Sequence, residues 1–395
     1  GIFRPSYKAY LYLLVTCSII SWRGQMAKLP KLDDKPLSQE DWQQDELVQR
    51  QLVRNVKRCM TRAGEGRSQI VTNLRLLLAE GVPYRVYRLD VRSYYESFQK
   101  HEVLKALREL RNLSPQSKTL IETLLNSHSA MGGLGIPRGL SLSAILSDLL
   151  MKQFDHLIRS GDDTFYYSRY VDDIIIMTST REKKAEFVTW IKSSLPPGLS
   201  LNPNKREIVE VLSKVEKIKG SCAPHIFSFD YLGYAFTVSN PTTVEAGNKK
   251  NGELNRSVLI DIASRKIKKF KTRIVRAFLD YGKTGDWDLL RDRVAFLTQN
   301  FSVYNPKAGG KKLAGIYYSY PLVNAESGGL LELDRYLRNA VLARTGRVFS
   351  KSALRLCGKQ KRQLLSSSFV RGHASQSFIH FSGHRISDIQ RCWAN

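Results

Sequence analysis

A chain of 395 residues with 42% hydrophobic and 25% charged residues has the composition of a soluble globular protein with material for two or three compact units. Its 62 Lys and Arg against 36 Asp and Glu leave a formal net charge of +26, a surplus that attracts polyanions, nucleic acid first among them. Charge alone fits a ribosomal protein or a nuclease equally well, and five scattered cysteines with no C-x-x-C exclude a disulfide framework and fit a reducing cytoplasm.

The first element in chain order is the apolar run from Ala9 to Trp22, flanked by Arg4, Lys8 and Arg23. It is short for a bilayer, which needs about 20 residues. No A-x-A-like cleavage site follows it, so it reads as a helix buried against the body, and no membrane partner is expected. Residues 28–47 are polar and proline-marked, a connector into a helix. From Leu47 to about Leu78 the pattern is helical or mixed, with Arg54, Lys57, Arg58, Arg62 and Arg67 interspersed.

Tyr84 to Val91 alternates and is rich in Val and Tyr, which predicts a strand with Val86, Arg88 and Asp90 on one face. Helices are expected near 101–112 and 115–127, the second capped by Ser114 with Pro115 at its first position. Glycines 132, 133, 135 and 139 precede a long helix at 141–158, whose apolar stripe is Leu142, Ile145, Leu146, Leu149, Leu150 and Phe154. Phe165 to Thr178 gives two strand-forming runs around Asp172-Asp173, a hairpin with acids at its tip. Beyond Asn240 the patterns become basic and amphipathic, as in Ser264 to Phe278, and a domain boundary is expected in the loop-like stretch 240–255.

Phosphoryl transfer from a nucleoside triphosphate uses two divalent cations, one at the attacking 3′-hydroxyl and one at the triphosphate. Hard cations of this kind want carboxylate oxygens held close together on a rigid platform. Asp90 at a strand end and Asp172 and Asp173 at a hairpin tip supply them if the strands are neighbours.

These residues carry a resemblance. Tyr170-Val171-Asp172-Asp173 within strand–turn–strand resembles the Y-x-D-D motif of reverse transcriptases. Asp90 to Tyr95 is similar to the first palm motif, Gly135 to Ser141 to the family's (L/I)-P-Q-G segment, and Leu201 to Lys205 to the following motif. Phe229 to Tyr234 is similar to the L-G hairpin that grips the primer. Five motifs stand in family order across about residues 55 to 240. Within the family, Arg67 to Val71, the Ser93-Tyr94-Tyr95-Glu96-Ser97 segment and Gly315 to Tyr318 resemble bacterial unknown-group and phage-defence reverse transcriptases.

The resemblance implies an α+β right-hand polymerase. Residues 1–48 would be an N-terminal extension and connector, 49–250 fingers and palm with an antiparallel sheet, and 251–395 a basic helical thumb. It implies two Mg²⁺ ions (or Mn²⁺) on Asp90, Asp172, Asp173 and the Val91 carbonyl. Tyr95 would exclude a ribonucleotide's 2′-hydroxyl by bulk. Arg67, Arg138, Gly139 and Lys205 would bind the nucleotide, and Leu232 and Gly233 would grip the primer. Arg138 stands where the family carries glutamine, which brings charge to the nucleotide-selecting position. The implied partners are dNTPs, a DNA primer or product and an RNA template, a non-coding RNA in antiphage defence. Oligomeric state is not readable.

Each role has a plain structural alternative: acids populate turns, tyrosines fill cores, and basic side chains coat solvated faces. Three decoys are declined. Gly161-Asp162-Asp163 lacks flanking apolar strands and reads as the loop entering the hairpin. Gly282-Lys283-Thr284 has Ala277 in place of the P-loop's first glycine, and Gly133 with Gly135 completes no dinucleotide fingerprint. Cys357 and Cys392 with His373, His380 and His384 match no zinc spacing. Two rival functions remain open: an untemplated or protein-primed DNA polymerase, and an RNA-binding assembly protein with a vestigial polymerase site.

Overall fold

The computed structural model describes residues 46–60, 65–211, 225–240, 255–305, 310–324 and 327–393. The apolar run 9–22, nearly all of the connector 28–47 and the loop 241–254 lie outside the described residues. The chain forms two compact units, one from residues 1–66 with 83–213 and the other from 67–82 with 214–395. The class is α+β, with antiparallel pairing predominating in its sheets.

In the first unit, α1 (Glu46–Cys59) is followed, after α2 (Arg67–Leu78) of the second unit, by β1 (Tyr84–Asp90). Then come α3 (Lys100–Glu109), α4 (Pro115–Ala130), α5 (Ser141–Arg159), β2 (Thr164–Tyr170), β3 (Asp173–Thr178), α6 (Lys184–Ser194) and β4 (Glu207–Val211). The strands make one antiparallel sheet in the order β2-β3-β1-β4. The expected helices near 101–112, 115–127 and 141–158 are α3, α4 and α5. Ser114 caps α4 by accepting from Ser117 N, with Pro115 in the first turn.

Alternation along β1 sends Tyr87, Leu89 and Val91 into one core with Ile174 and Ile176 of β3 and with Leu142, Leu146, Met151 and Phe154 of α5. Val86, Arg88 and Asp90 therefore occupy the opposite face, as the period of two requires. Leu149 and Leu150 are only partly buried, and Ser143, Ser147, Met151 and Ile158 complete the buried stripe of α5. At the end of the sheet remote from Asp90, buried Glu182 accepts from Tyr87 Oη at 2.6 Å and Thr178 Oγ1 at 2.8 Å and pairs with Arg85. This network closes the Thr178–Lys184 connection over the strand ends.

The second unit holds α2 and a sheet of β5 (His225–Tyr231), β6 (Tyr234–Ser239) and β7 (Ser257–Ile262) in that order. Arg256 joins them: its N–H donates to Ala79 O at 2.8 Å, and its guanidinium donates to Val82 O at 2.9 Å. There follow α7 (Ser264–Thr284), α8 (Trp287–Thr298), β8 (Asn300–Asn305), β9 (Gly310–Gly315), α9 (Ile316–Ser319) and α10 (Gly328–Leu342). The chain continues through α11 (Ser350–Arg355), α12 (Gly358–Leu365), α13 (Phe369–Ala374), β10 (Phe378–His380) and α14 (Gly383–Arg391).

Helices dominate this region as its basic amphipathic patterns suggest, but β7 to β10 interrupt them. In β7 the alternation is real, since Ile260 and Ile262 are buried while Leu259 is exposed. β10 spans three residues and exists through parallel pairing with β8, a tertiary partner that no local pattern announces. Among the described residues no helix is long and apolar enough to cross a membrane. Cys59, Cys357 and Cys392 are free thiols.

Candidate active site

The antiparallel register brings the three acids together. Asp90, last residue of β1, stands opposite Asp173, first residue of β3. The β2–β3 hairpin pairs Tyr170 with Asp173, so Val171 and Asp172 form its two-residue tip. Val91 N donates to Asp172 O at 3.1 Å, which ties the tip to the end of β1. Val171 has φ +60, the position where a tight hairpin turn favours glycine. A β-branched residue there stores about 1–3 kcal/mol of strain that its surroundings must offset.

Asp90 is the most enclosed of the three, 6% exposed. Its carbonyl accepts from Asn202 N at 2.7 Å, and its carboxylate accepts from Asn202 Nδ2 at 3.2 Å and from Lys205 Nζ at 2.8 Å. Asn202 opens the short 3-10 turn Pro203–Lys205 and caps it by accepting from Asn204 N, which aims Lys205 back at Asp90. An isolated antiparallel bridge pairs Val91 with Leu201. Its two flanking bonds, Asn202 N to Asp90 O and Arg92 N to Ser200 O, do not use the Val91 carbonyl.

Gathering carboxylates makes Asp172 and Asp173 harder to ionise. Burial, then the charges of Asp172 and Asp90, push Asp173 up to about 6. Burial, with Asp90 adding, also raises Asp172 above the usual carboxylate range. Among the described residues no three His, Cys, Asp or Glu side chains are already gathered as a metal cage. The residues nevertheless fit divalent cations: hard oxygen donors whose mutual repulsion is relieved by added positive charge.

Beside the acids lies a turn, residues 91–97, joined to the loop before α5. Tyr95 is half-buried, its ring 5.2 Å from that of Tyr94, and burial followed by the charges of Asp148 and Asp172 raises its phenol. Ile136 N donates to Tyr95 O at 2.8 Å. Gly135 has φ +63, and a Cβ on it would lie 2.2 Å from the Tyr95 carbonyl oxygen, so only glycine permits this approach. Gly139, at φ +84, turns the chain into α5 and meets nothing. Arg138 forms a forked pair with Glu96, one arm donating from Nη2 to Oε2 at 2.8 Å. The pair holds the Glu96 carboxyl below its usual range and raises the guanidinium, to which the Asp172 charge also contributes.

Sequence reasoning named Asp90, Val91, Tyr95, Arg138, Gly139, Asp172, Asp173 and Lys205, and all lie in this one unit, around the end of β1, the hairpin tip and the neighbouring loops. It assigned no role to Asn202, Glu96 or Arg169. Asn202 lay inside a quoted motif. Arg169 precedes the hairpin tip with nothing local to mark it, yet its side chain is 6% exposed with five bonded contacts.

Arg67, Leu232 and Gly233 belong to the second unit and meet each other there. Arg67 Nε donates to Leu232 O and Nη1 to Ser319 O, both at 2.8 Å, and its guanidinium stacks over Tyr234 and Tyr320. Leu232 and Gly233 form the β5–β6 turn with φ +49 and +82, a tight hairpin. Lys266 of α7 lies against Gly233. Burial, then Lys269, Arg67, Arg265 and Arg273, lower the Lys266 ammonium, as expected where cations crowd. Gly161-Asp162-Asp163 sits in the turn entering β2, as anticipated.

Residues 59–236 match the family model described as reverse transcriptase (RNA-dependent DNA polymerase). A comparison with curated proteins finds no match. Solved structures similar to the chain include apo telomerase from Candida tropicalis truncated from its C-terminal domain, at 16% identity and TM-score 0.35, covering 52% of this chain and 48% of that one. Another is telomerase from Candida albicans in complex with a TWJ fragment of telomeric RNA, at 13% identity and TM-score 0.33, covering 89% and 54%. The chain spans about half the length of each. The segment that carries the three aspartates thus falls within the stretch, residues 59–236, that is similar to the reverse transcriptase family.

Proposed function

We infer that the chain is an RNA-directed DNA polymerase that adds deoxynucleotides to a primer 3′-hydroxyl, acting with a non-coding RNA as template in bacterial antiphage defence. The carrying observation is the register that sets Asp90 opposite Asp173 with Asp172 at the adjoining tip, inside the stretch that matches the reverse transcriptase family model. The defence role rests on the resemblance of Arg67 to Val71, Ser93 to Ser97 and Gly315 to Tyr318 alone. The free thiols suit a cytoplasmic setting.

Asp90, Asp172, Asp173 and the Val91 carbonyl would hold two Mg²⁺ or Mn²⁺ ions, which supply charge neutralisation and acidify the attacking hydroxyl. The chain's own groups do the rest. Lys205 orients the Asp90 carboxylate through its 2.8 Å bond. Tyr95, braced by Tyr94 and Ile136 N, forms the wall that a 2′-hydroxyl would strike. Arg138 and Lys205 contribute positive charge for the triphosphate, with Gly139 leaving its backbone approachable. Leu232 and Gly233 turn the hairpin that would meet the primer, and the cations of α7 would follow its phosphates. In this reading residues 49–250 are fingers and palm, and 251–395 are thumb.

Primer extension on a defined RNA template tests it. The expected product is DNA complementary to the template, lost in Asp172→Asn. Product unrelated to the template would support untemplated synthesis, and RNA binding unaccompanied by synthesis would support an assembly role.

A further inference from the structure

We propose that Arg169 is a positioning residue that holds the Tyr94–Tyr95 turn and the tip of the catalytic hairpin with one guanidinium, so that displacement of either loosens the other. Its kinetic consequence rests on the polymerase reading above, while its structural consequence does not.

Arg169 lies on β2, three residues before Asp172, and its side chain is 6% exposed. A guanidinium has five N–H groups in a fixed fork, and here five contacts take them up. Nε donates to Asp155 Oδ1 at 2.8 Å and Nη2 to Asp155 Oδ2 at 2.8 Å, a forked pair. Nη2 also donates to Asp148 Oδ1 at 3.1 Å. Nη1 donates to Tyr94 Oη and to Val171 O, both at 3.0 Å.

The carboxylates anchor the fork. Asp148 and Asp155 are two helical turns apart on one face of α5, and Asp155 also accepts from Tyr167 Oη at 2.5 Å. The Nη1 end is what reaches function. Val171 O belongs to the same peptide group as the Asp172 N–H, so the bond fixes the plane from which Asp172 emerges. That plane follows a β-branched residue at φ +60, a conformation that persists only when its surroundings over-determine it. Tyr94 is chain neighbour to Tyr95 and its ring contact. A sugar that forces Tyr95 aside pulls on Tyr94, and through Arg169 on the Val171 carbonyl. Lysine, with three donors on a single nitrogen and no fork, cannot span these acceptors.

The bland alternative is a buried ion pair that merely pins β2 to α5. The Asp155 fork alone would suffice for that, so the discriminating variants spare it. Asp148→Ala removes an acceptor at a residue whose side chain is 43% exposed. Tyr94→Phe removes the phenol acceptor, together with its contact to Ser147. In folded variants, amide hydrogen exchange is expected to quicken about tenfold, the size of one lost charged-group hydrogen bond, at residues 93–97 and 170–173 together. The strand amides of β1 and β3 should stay protected. In extension assays kcat should fall and discrimination against ribonucleotides should drop severalfold, with KM for primer–template unchanged; Arg169→Lys should behave alike and rescue neither. Exchange that quickens at one segment only, or at neither, overturns the proposal. So does unchanged ribonucleotide discrimination in an active variant. If the wild type makes no DNA but both segments loosen together, the coupling stands and the polymerase reading alone fails.

Discussion

Replacing Asp173 by asparagine should stabilise the protein when divalent cations are chelated, and only above about pH 4. Burial and the charges of Asp172 and Asp90 raise the folded-state pKa of Asp173 from 3.8 to about 6. The folded protein thus binds this proton more tightly than the unfolded chain. The resulting stabilisation is complete below 3.8 and is lost as pH rises through about 6. At ~1.36 kcal/mol per pH unit the ionised carboxylate costs at most about 3 kcal/mol at pH 8. Solvent screening of a partly exposed side chain reduces this to about 1–2 kcal/mol. Asparagine keeps the shape and removes the charge. Thermal unfolding in EDTA from pH 4 to 8 should give coincident midpoints at pH 4, diverging to about 1–3 °C in favour of the variant at pH 8. A variant no more stable than wild type at pH 8 would refute the electrostatic reasoning. An equal offset at every pH would assign the effect to packing instead.

Restoring Mg²⁺ should reverse that order: wild type gains midpoint with concentration by mass action and Asp172→Asn/Asp173→Asn does not, as calorimetry with titrated metal will check. Tyr95→Ala should lower deoxy-over-ribo selectivity by about 10- to 100-fold, read from competing dNTP and rNTP incorporation, because the wall that meets the 2′-hydroxyl is gone. Arg138→Gln should leave the unfolding midpoint unchanged, since its partnership with Glu96 is exposed, while KM for dNTP rises severalfold in steady-state extension. Lys266→Ala/Lys269→Ala should flatten the log–log salt dependence of duplex binding by about one to two, measured by fluorescence anisotropy, if both cations meet phosphate.

The acids were legible because three local signals coincide: alternation through Tyr84–Val91, strand-formers on both sides of Asp172-Asp173, and an intervening stretch long enough to cover the sheet. Register then follows from the hairpin, since two strands with a two-residue tip have one pairing that buries Ile174 and Ile176. The partnerships were not legible. That Lys205 turns back onto Asp90 depends on the Asn202 cap, and that Arg138 meets Glu96 depends on Gly135 letting two loops touch. The acceptors of Arg169 come from a helix and a turn remote in sequence. The chain order also hides that α2 clusters with residues after 213, where Arg256 and Leu232 supply its partners. In each case the determining contact is tertiary, and residue type alone carries no record of it.

The measurement that bears most directly on the central claim is sequencing of the nucleic acid bound to, and synthesised by, the wild type and Asp172→Asn/Asp173→Asn in cells. Templated polymerisation predicts DNA complementary to a discrete bound RNA in the wild type, and the same RNA without the DNA in the double variant. DNA that matches no bound RNA, or identical RNA and no DNA from both proteins, would contradict it.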